Sequence, residues 1–112
     1  MNIDNFKSAL RRTQPEPQDT ERTLAWKLLL ARAKESQQNG NWEDACACYE
    51  GAVSMIEARL GAKNILLAHV LMQFSILKEE MGELDKAKET SHRARMIIAD
   101  LASDAEGELL KS

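Results

Sequence analysis

The chain has 112 residues and a mass of 12.6 kDa, which suffices for one domain and excludes two domains of ordinary size. Its composition is 44% hydrophobic and 29% charged, the balance of a folded protein and not of a disordered one. Fifteen Lys and Arg residues against 18 Asp and Glu residues give a net charge of -3, which argues against nucleic acid as a partner because phosphate binding needs a dense cationic face.

The composition also favours helices over strands. Good helix formers dominate the chain, and its 5 Gly and 2 Pro are too few for many short strands joined by tight turns. The N-terminus is polar and does not resemble a secretory signal. No apolar run approaches the about 20 residues that span a bilayer. We therefore expect an all-α, cytoplasmic protein without a membrane partner.

Residues 1–18 are predicted to contain a short helix and a linker. Three apolar residues recur at helical spacing near the N-terminus: Ile3, Phe6 and Leu10. Pro15 and Pro17 then exclude a continuing helix. We hypothesise that residues 2–12 pack over the first of the two hairpins that follow.

Four long helices are predicted next, and they form two hairpins, residues 19–60 and 64–102. The expected helices cover residues 19–38, 42–60, 65–81 and 84–102. Gly40 is a natural left-handed residue at the end of the first helix, and Asn41 and Asn64 are candidate N-caps of the second and third. Ser103-Asp104-Ala105-Glu106 is typical of a capping box, so residues 103–112 are expected to be a separate short helix or a tail.

The second hairpin repeats the first at an offset of 42 residues. The matched pairs are Gly40 with Gly82, Trp42 with Leu84, Ala45 with Ala87, and Ala52 with Ala94. The alanines, with Ala33 and Ser75 on the partner helices, are expected to allow close helix approach, and the bulky residue after each glycine to plug the corner between the helices. Such a repeat indicates a helical hairpin stacked on its copy.

The repeated stretch resembles a known family. Gly40-Asn41-Trp42-Glu43-Asp44-Ala45, followed by Tyr49 and Ala52, is similar to the second-helix signature of the tetratricopeptide repeat, and a second copy begins at Gly82. The period of 42 resembles the long repeats of kinesin light chains. The resemblance covers roughly residues 24–101 and implies an α-α superhelix of two hairpins with flanking N- and C-terminal helices. Ser91 departs from the family's aromatic pattern.

The sequence shows no recognisable catalytic or metal-binding pattern. His69 and His92 fall on different helices, without a paired ligand on the same face. Cys46 and Cys48 would point roughly 200° apart around a helix, so neither a disulfide nor a shared metal is expected and both should be free thiols. Adjacent Ser91 and His92 diverge by about 100°. We expect no enzymatic activity, no cofactor and no metal.

The resemblance implies where a partner would bind. In such proteins the first helix of each hairpin lines a groove that takes up a peptide or a helix. By register, the first unit contributes Lys27, Leu30, Lys34, Gln37 and Gln38. The second unit contributes His69, Met72, Ile76, Glu79 and Glu80. This lining would be basic at one end, acidic at the other and apolar between, and its apolar residues would anchor a partner or be covered by the protein's own terminal helices or a second copy.

The expected function is therefore non-catalytic protein–protein interaction, as an adaptor, an assembly factor or a chaperone-type subunit. The alternative is a structural homodimer in which the exposed ends of the stack pair two copies. Four methionines leave two interpretations open, since they either fill gaps between helices or form an adaptable binding surface. They are Met55, Met72, Met81 and Met96.

Overall fold

The computed structural model describes residues 17–111, with side chains from 25 to 109. This range contains four α-helices and no strand, which confirms the all-α class. The helices are α1 (Pro17–Gln38), α2 (Trp42–Leu60), α3 (Ile65–Glu80) and α4 (Leu84–Lys111). The helix predicted near the N-terminus, and its hypothesised packing over the first hairpin, lie outside the described residues.

Two predicted helix boundaries are wrong. α1 begins at Pro17, which was predicted to lie in the linker. Proline is tolerated at the first helical position because the amide it lacks would have no partner there. α4 continues through Ser103 to Lys111, so no capping box opens a separate helix. Neither a proline nor a glycine interrupts the chain at residues 101–103, and extending an existing helix is easier than nucleating a new one.

The two hairpin turns have the same geometry at the predicted offset of 42. Gly40 and Gly82 have φ of +75° and +81°, which confirms the left-handed conformation expected of them. In each turn the residue after the glycine donates its N–H to a carbonyl five residues earlier, over 2.8 Å and 2.9 Å. Each glycine donates to a carbonyl three residues earlier, over 3.1 Å and 2.9 Å. Both turns are therefore Schellman motifs, and the repeat extends to the backbone.

The two predicted asparagine caps differ. Asn64 caps α3 as expected, because its Oδ1 accepts the amides of Leu66 and Leu67 at 2.7 Å and 3.3 Å. Asn41 occupies the N-cap position of α2 but its side chain makes no cap hydrogen bond, so that part of the prediction is wrong. Its ψ of 77° lies well short of the fully extended backbone that Asn64 adopts, with ψ of 132°.

The small residues of the repeat are buried, as predicted. All four matched alanines are 0 or 1% exposed: Ala45, Ala52, Ala87 and Ala94. Ala33 and Ser75, the expected small residues on the partner helices, are buried too. The bulky residues Trp42 and Leu84 are exposed, so the prediction that they plug the corners is wrong. Each is the first residue of its helix and follows a turn whose glycine is exposed.

The helices pack in chain order. α1 packs on α2, α2 on α3 and α3 on α4, so the two hairpins meet where α2 contacts α3. α3 is the most enclosed helix and buries seven residues: Leu67, Ala68, Val70, Leu71, Phe74, Ser75 and Leu77. None of the described helices combines the length and the apolarity needed to cross a membrane.

Candidate protein-binding surfaces

Ten residues were predicted to line a groove, and the structure buries none of them. We call the surface that they form on α1 and α3 the α1–α3 face. Seven of the ten are exposed: Lys27, Lys34, Gln38, His69, Ile76, Glu79 and Glu80. Three are partly buried: Leu30, Gln37 and Met72. On each helix the first four members recur at intervals of three or four residues and the fifth is adjacent to the fourth, so they follow one broad side of the helix.

A hydrogen-bond chain joins the two halves of the α1–α3 face at its C-terminal end. Gln37 Nε2 donates to Glu80 Oε2 at 3.0 Å, and Tyr49 on α2 donates its hydroxyl to Gln37 Oε1 at 3.2 Å. Burial raises the pKa of the Tyr49 hydroxyl, and the charge of Glu80 adds to the effect. Gln37 and Glu80 therefore hold three helices together, and the Gln37 side chain already uses both its donor and its acceptor groups.

The apolar part of the α1–α3 face centres on Ile76. Ile76 is 49% exposed, whereas Leu30 and Met72 pack partly against the core. No residue of the described range covers Ile76 fully, so an exposed apolar residue stands on a helix that buries seven of its sixteen residues. The α1–α3 face also carries exposed charges of opposite sign, Lys27 on α1 and Glu79 on α3.

A second concave surface lies between α2 and α4. We call it the α2–α4 groove; its volume is about 570 Å³, and α3 forms its floor through Leu71 and Phe74. Val53 of α2 and Thr90 of α4 stand on its two sides. This groove was not predicted, because helical periodicity assigns residues to faces but does not fix the angle between neighbouring hairpins. The one available signal was the apolar Val53 at helical spacing from Glu50 and Glu57 of α2.

The two cations of the α2–α4 groove are already engaged. Arg93 Nη2 donates to Glu57 Oε1, an ion pair between α4 and α2. Lys78 Nζ donates to Thr90 Oγ1 at 2.7 Å and lies 4.2 Å from the centroid of the Phe74 ring.

Asp44 holds α2 against α1 and takes no part in either surface. Its carboxylate accepts the Ser36 hydroxyl at 2.5 Å and two Arg32 nitrogens at 3.2 Å. The hydrogen bond from Ser36 lowers the pKa of Asp44, and Arg32 lowers it further. A carboxylate held ionised in this way is a structural partner and a poor general base.

The described side chains form no reactive cluster. Cys46 and Cys48 are free thiols, as predicted, and burial raises the pKa of both, which keeps them protonated and weakly nucleophilic near neutral pH. Ser91 donates its hydroxyl to the Lys88 carbonyl at 3.1 Å. Within the described range no three His, Cys, Asp or Glu residues converge as metal ligands would.

We compared the chain with family models, curated proteins and solved structures, and none of them matches it. The geometry of its own surfaces is therefore the basis for a functional proposal.

Proposed function

We propose that this chain is a non-catalytic protein-interaction module that binds a peptide or a helix of a partner protein on the α1–α3 face. The observation that carries the proposal is Ile76. It is half exposed in the C-terminal half of α3, the helix that buries most of its other apolar residues. An apolar anchor surrounded by polar residues is the usual arrangement at the centre of a protein interface.

The repeat geometry supports a tetratricopeptide-like stack as the scaffold of this face. The turns at Gly40 and Gly82 match in φ and in their hydrogen bonds, and the four repeat alanines are buried at the helix contacts. We therefore propose that the hairpins are two units of an α-α superhelix. In such a stack α1 and α3 are the first helices of successive units, so they share one side of the molecule.

The charges around Ile76 suggest how a bound segment would be oriented. α1 carries exposed Lys27 and Lys34, and α3 carries exposed Glu79 and Glu80. Rim charges contribute more to orientation and specificity than to affinity. A helix laid on the face would place apolar residues over Ile76 and partly exposed Met72, with its acidic and basic side chains toward the two opposite rims. An adaptor, an assembly factor or a chaperone subunit would use such a surface.

The proposal is tested by replacing Ile76 with glutamate in the tagged full chain. Wild-type chain is used to capture and identify partners, and each purified partner is then measured against the variants. Ile76→Glu should abolish binding while circular dichroism stays unchanged. Ile65→Glu is the matched control, because Ile65 lies on the same helix and is 63% exposed but is not part of the face. Retained binding by Ile76→Glu, or its unfolding, would contradict the proposal.

Self-association is a second candidate, favoured by the outer side of α1. At an offset of 42, Leu28 and Arg32 of α1 correspond to Val70 and Phe74 of α3. Val70 and Phe74 are buried, whereas Leu28 is 62% exposed and Arg32 is exposed. On this side α1 therefore presents exposed Leu28 beside Arg32, which is paired with Asp44, and two copies could pair there about a twofold axis.

The opposite end of the stack does not favour a head-to-tail assembly. Ser91 and Arg95 of α4 stand where α2 has Tyr49 and Val53, so the side that would receive a further unit is more polar than that of α2, although Ile98, the counterpart of buried Ile56, is 43% exposed there. Light scattering at micromolar concentration distinguishes the alternatives. A dimer that Leu28→Glu dissociates supports pairing through α1, and a strict monomer contradicts self-association.

A further inference from the structure

The α2–α4 groove and the α1–α3 face are separate surfaces on opposite sides of α3. Successive residues of a helix are 100° apart. Leu71, Phe74 and Lys78, which line the groove, therefore follow one side of α3. Met72 and Ile76 of the α1–α3 face follow a side more than a quarter turn away. A ligand in the groove would leave Ile76 uncovered, so the two surfaces can be occupied at the same time.

The charges that the groove leaves available to a ligand are negative. Arg93 is paired with Glu57, and Lys78 is bound to Thr90 and to the Phe74 ring. Glu50 and Glu89 also line the groove. Neither of these two carboxylates forms an ion pair or a hydrogen bond with any residue in the described part of the chain.

The floor of the groove determines the other half of the ligand chemistry. Leu71 and Phe74 lie at the bottom and are only 3% and 5% exposed, and partly buried Val53 stands on one side, so the apolar surface that a ligand side chain can cover centres on Val53. A volume of about 570 Å³ accommodates a few such side chains. The matching ligand is amphipathic, with apolar residues on one side and Lys or Arg on its flanks, and a helix between two helices is a common mode of such binding.

We infer that the α2–α4 groove binds a basic, amphipathic segment of a partner protein. Its apolar residues contact Val53 above the floor that Leu71 and Phe74 form, and its cations pair with Glu50 and Glu89. The binding is independent of the α1–α3 face. A chain with two separate binding surfaces would bridge two proteins.

The test uses the full chain and a fluorescein-labelled peptide of about four helical turns, roughly 14 residues, with Leu along one side and Lys elsewhere. A matched peptide carries Glu in place of Lys. Fluorescence anisotropy in about 0.1 M salt, where surface charges are partly screened, gives the Kd. The Lys peptide should bind at least roughly tenfold more tightly than the Glu peptide. Equal affinities, or no binding, would overturn the inference.

Two charge-reversal variants locate the binding. Glu50→Lys combined with Glu89→Lys should raise the Kd of the Lys peptide by about tenfold or more. Glu106→Lys combined with Glu108→Lys changes the net charge equally but at the exposed far end of α4, and should leave the Kd nearly unchanged. If both variants weakened binding of the Lys peptide equally, net charge alone would attract the peptide, and specific binding in the groove would be contradicted.

Two further variants separate the possible occupants. Ile76→Glu should leave the Kd of the Lys peptide unchanged. If only this variant lost binding of the Lys peptide, the peptide would bind on the α1–α3 face, which would overturn this inference but not the proposed function.

Residues 2–12 of the chain carry a similar basic and apolar pattern. If Lys7→Glu with Arg11→Glu tightens peptide binding about tenfold, the chain's own segment competes for the groove and the inference of a partner is wrong.

Discussion

The rings of Tyr49 and Phe74 stack with their centroids 5.4 Å apart and their planes at 19°. Tyr49 belongs to α2 and Phe74 to α3, so this contact lies where the first hairpin meets the second. Both side chains are buried. The stack is therefore a direct link between the two copies of the repeat, and its loss would affect how the hairpins sit relative to each other.

We predict that Phe74→Ala lowers the free energy of unfolding by about 3–5 kcal/mol, because it removes a buried aromatic side chain and leaves a cavity. Tyr49→Phe keeps the stack and loses only the hydrogen bond to Gln37, so it should cost about 0.5–1.5 kcal/mol. Urea unfolding followed by circular dichroism measures both values. Similar small losses for the two variants would show that the stack does not join the hairpins.

Replacing a turn glycine with alanine should destabilise the protein, whereas replacing the helical glycine with alanine should stabilise it. Gly82 has φ of +81°, a conformation that strains any residue with a Cβ, so Gly82→Ala should destabilise the protein by about 1 kcal/mol or more. Gly107 lies inside α4, and a Cβ there would meet no atom within 4 Å. Gly107→Ala should therefore stabilise by up to about 1 kcal/mol. Thermal unfolding gives the Tm of both variants, and a shift of the two Tm values in the same direction would contradict the assigned turn.

Enlarging a repeat alanine should disturb the contact between helices. Ala94 is fully buried in α4, and Ala94→Leu is predicted to lower the free energy of unfolding by about 1–3 kcal/mol through overpacking. Ala47 is exposed on α2, so Ala47→Leu should stay within about 0.5 kcal/mol of the wild type. Chemical denaturation provides the measurement. If Ala94→Leu is tolerated equally well, Ala94 does not lie at a close helix contact.

Local signals in the sequence predicted most of the fold. Gly40, Gly61 and Gly82 each follow a helical pattern, and a left-handed glycine is a strong stop signal because few other residues adopt that conformation. The end of the helical pattern at Leu101 misled the prediction. Beyond it α4 continues as an exposed helix, and hydrophobic periodicity cannot detect a helix that buries no face.

The candidate surfaces were predicted less completely than the fold. The register of the resembled repeat placed Lys34 and Ile76 at the surface, and both are exposed. That register could not predict that Gln37 bonds to both Tyr49 and Glu80, since those contacts depend on how far side chains reach between helices. The α2–α4 groove depends on the angle between hairpins, which no local pattern specifies.

Asp44 should make stability depend on pH at the acid end. Its folded pKa is below the ordinary value of about 3.9, because it accepts hydrogen bonds from Ser36 and from Arg32. The stabilisation is therefore fully present above the unfolded pKa and is lost as the pH falls through the folded pKa. The difference in unfolding free energy between wild type and Asp44→Asn should shrink as the pH is lowered from about 5 toward 2.

The carboxyl resonance of Asp44 gives an independent check by NMR titration. Ser36→Ala removes the hydroxyl donor, so the pKa of Asp44 in that variant should rise toward the ordinary value. An unchanged pKa in Ser36→Ala would mean that the hydrogen bond across the hairpin does not form in solution.

The most direct test of the stacked-hairpin arrangement is a nuclear Overhauser measurement between the rings of Tyr49 and Phe74. The chain has 1 Tyr and 2 Phe residues, so selective labelling assigns the cross-peak, with Phe6→Leu to exclude the other phenylalanine. Two stacked hairpins predict a strong ring-to-ring cross-peak, which persists in Phe6→Leu. If the ring resonances are assigned and no cross-peak joins them, the hairpins do not stack as described.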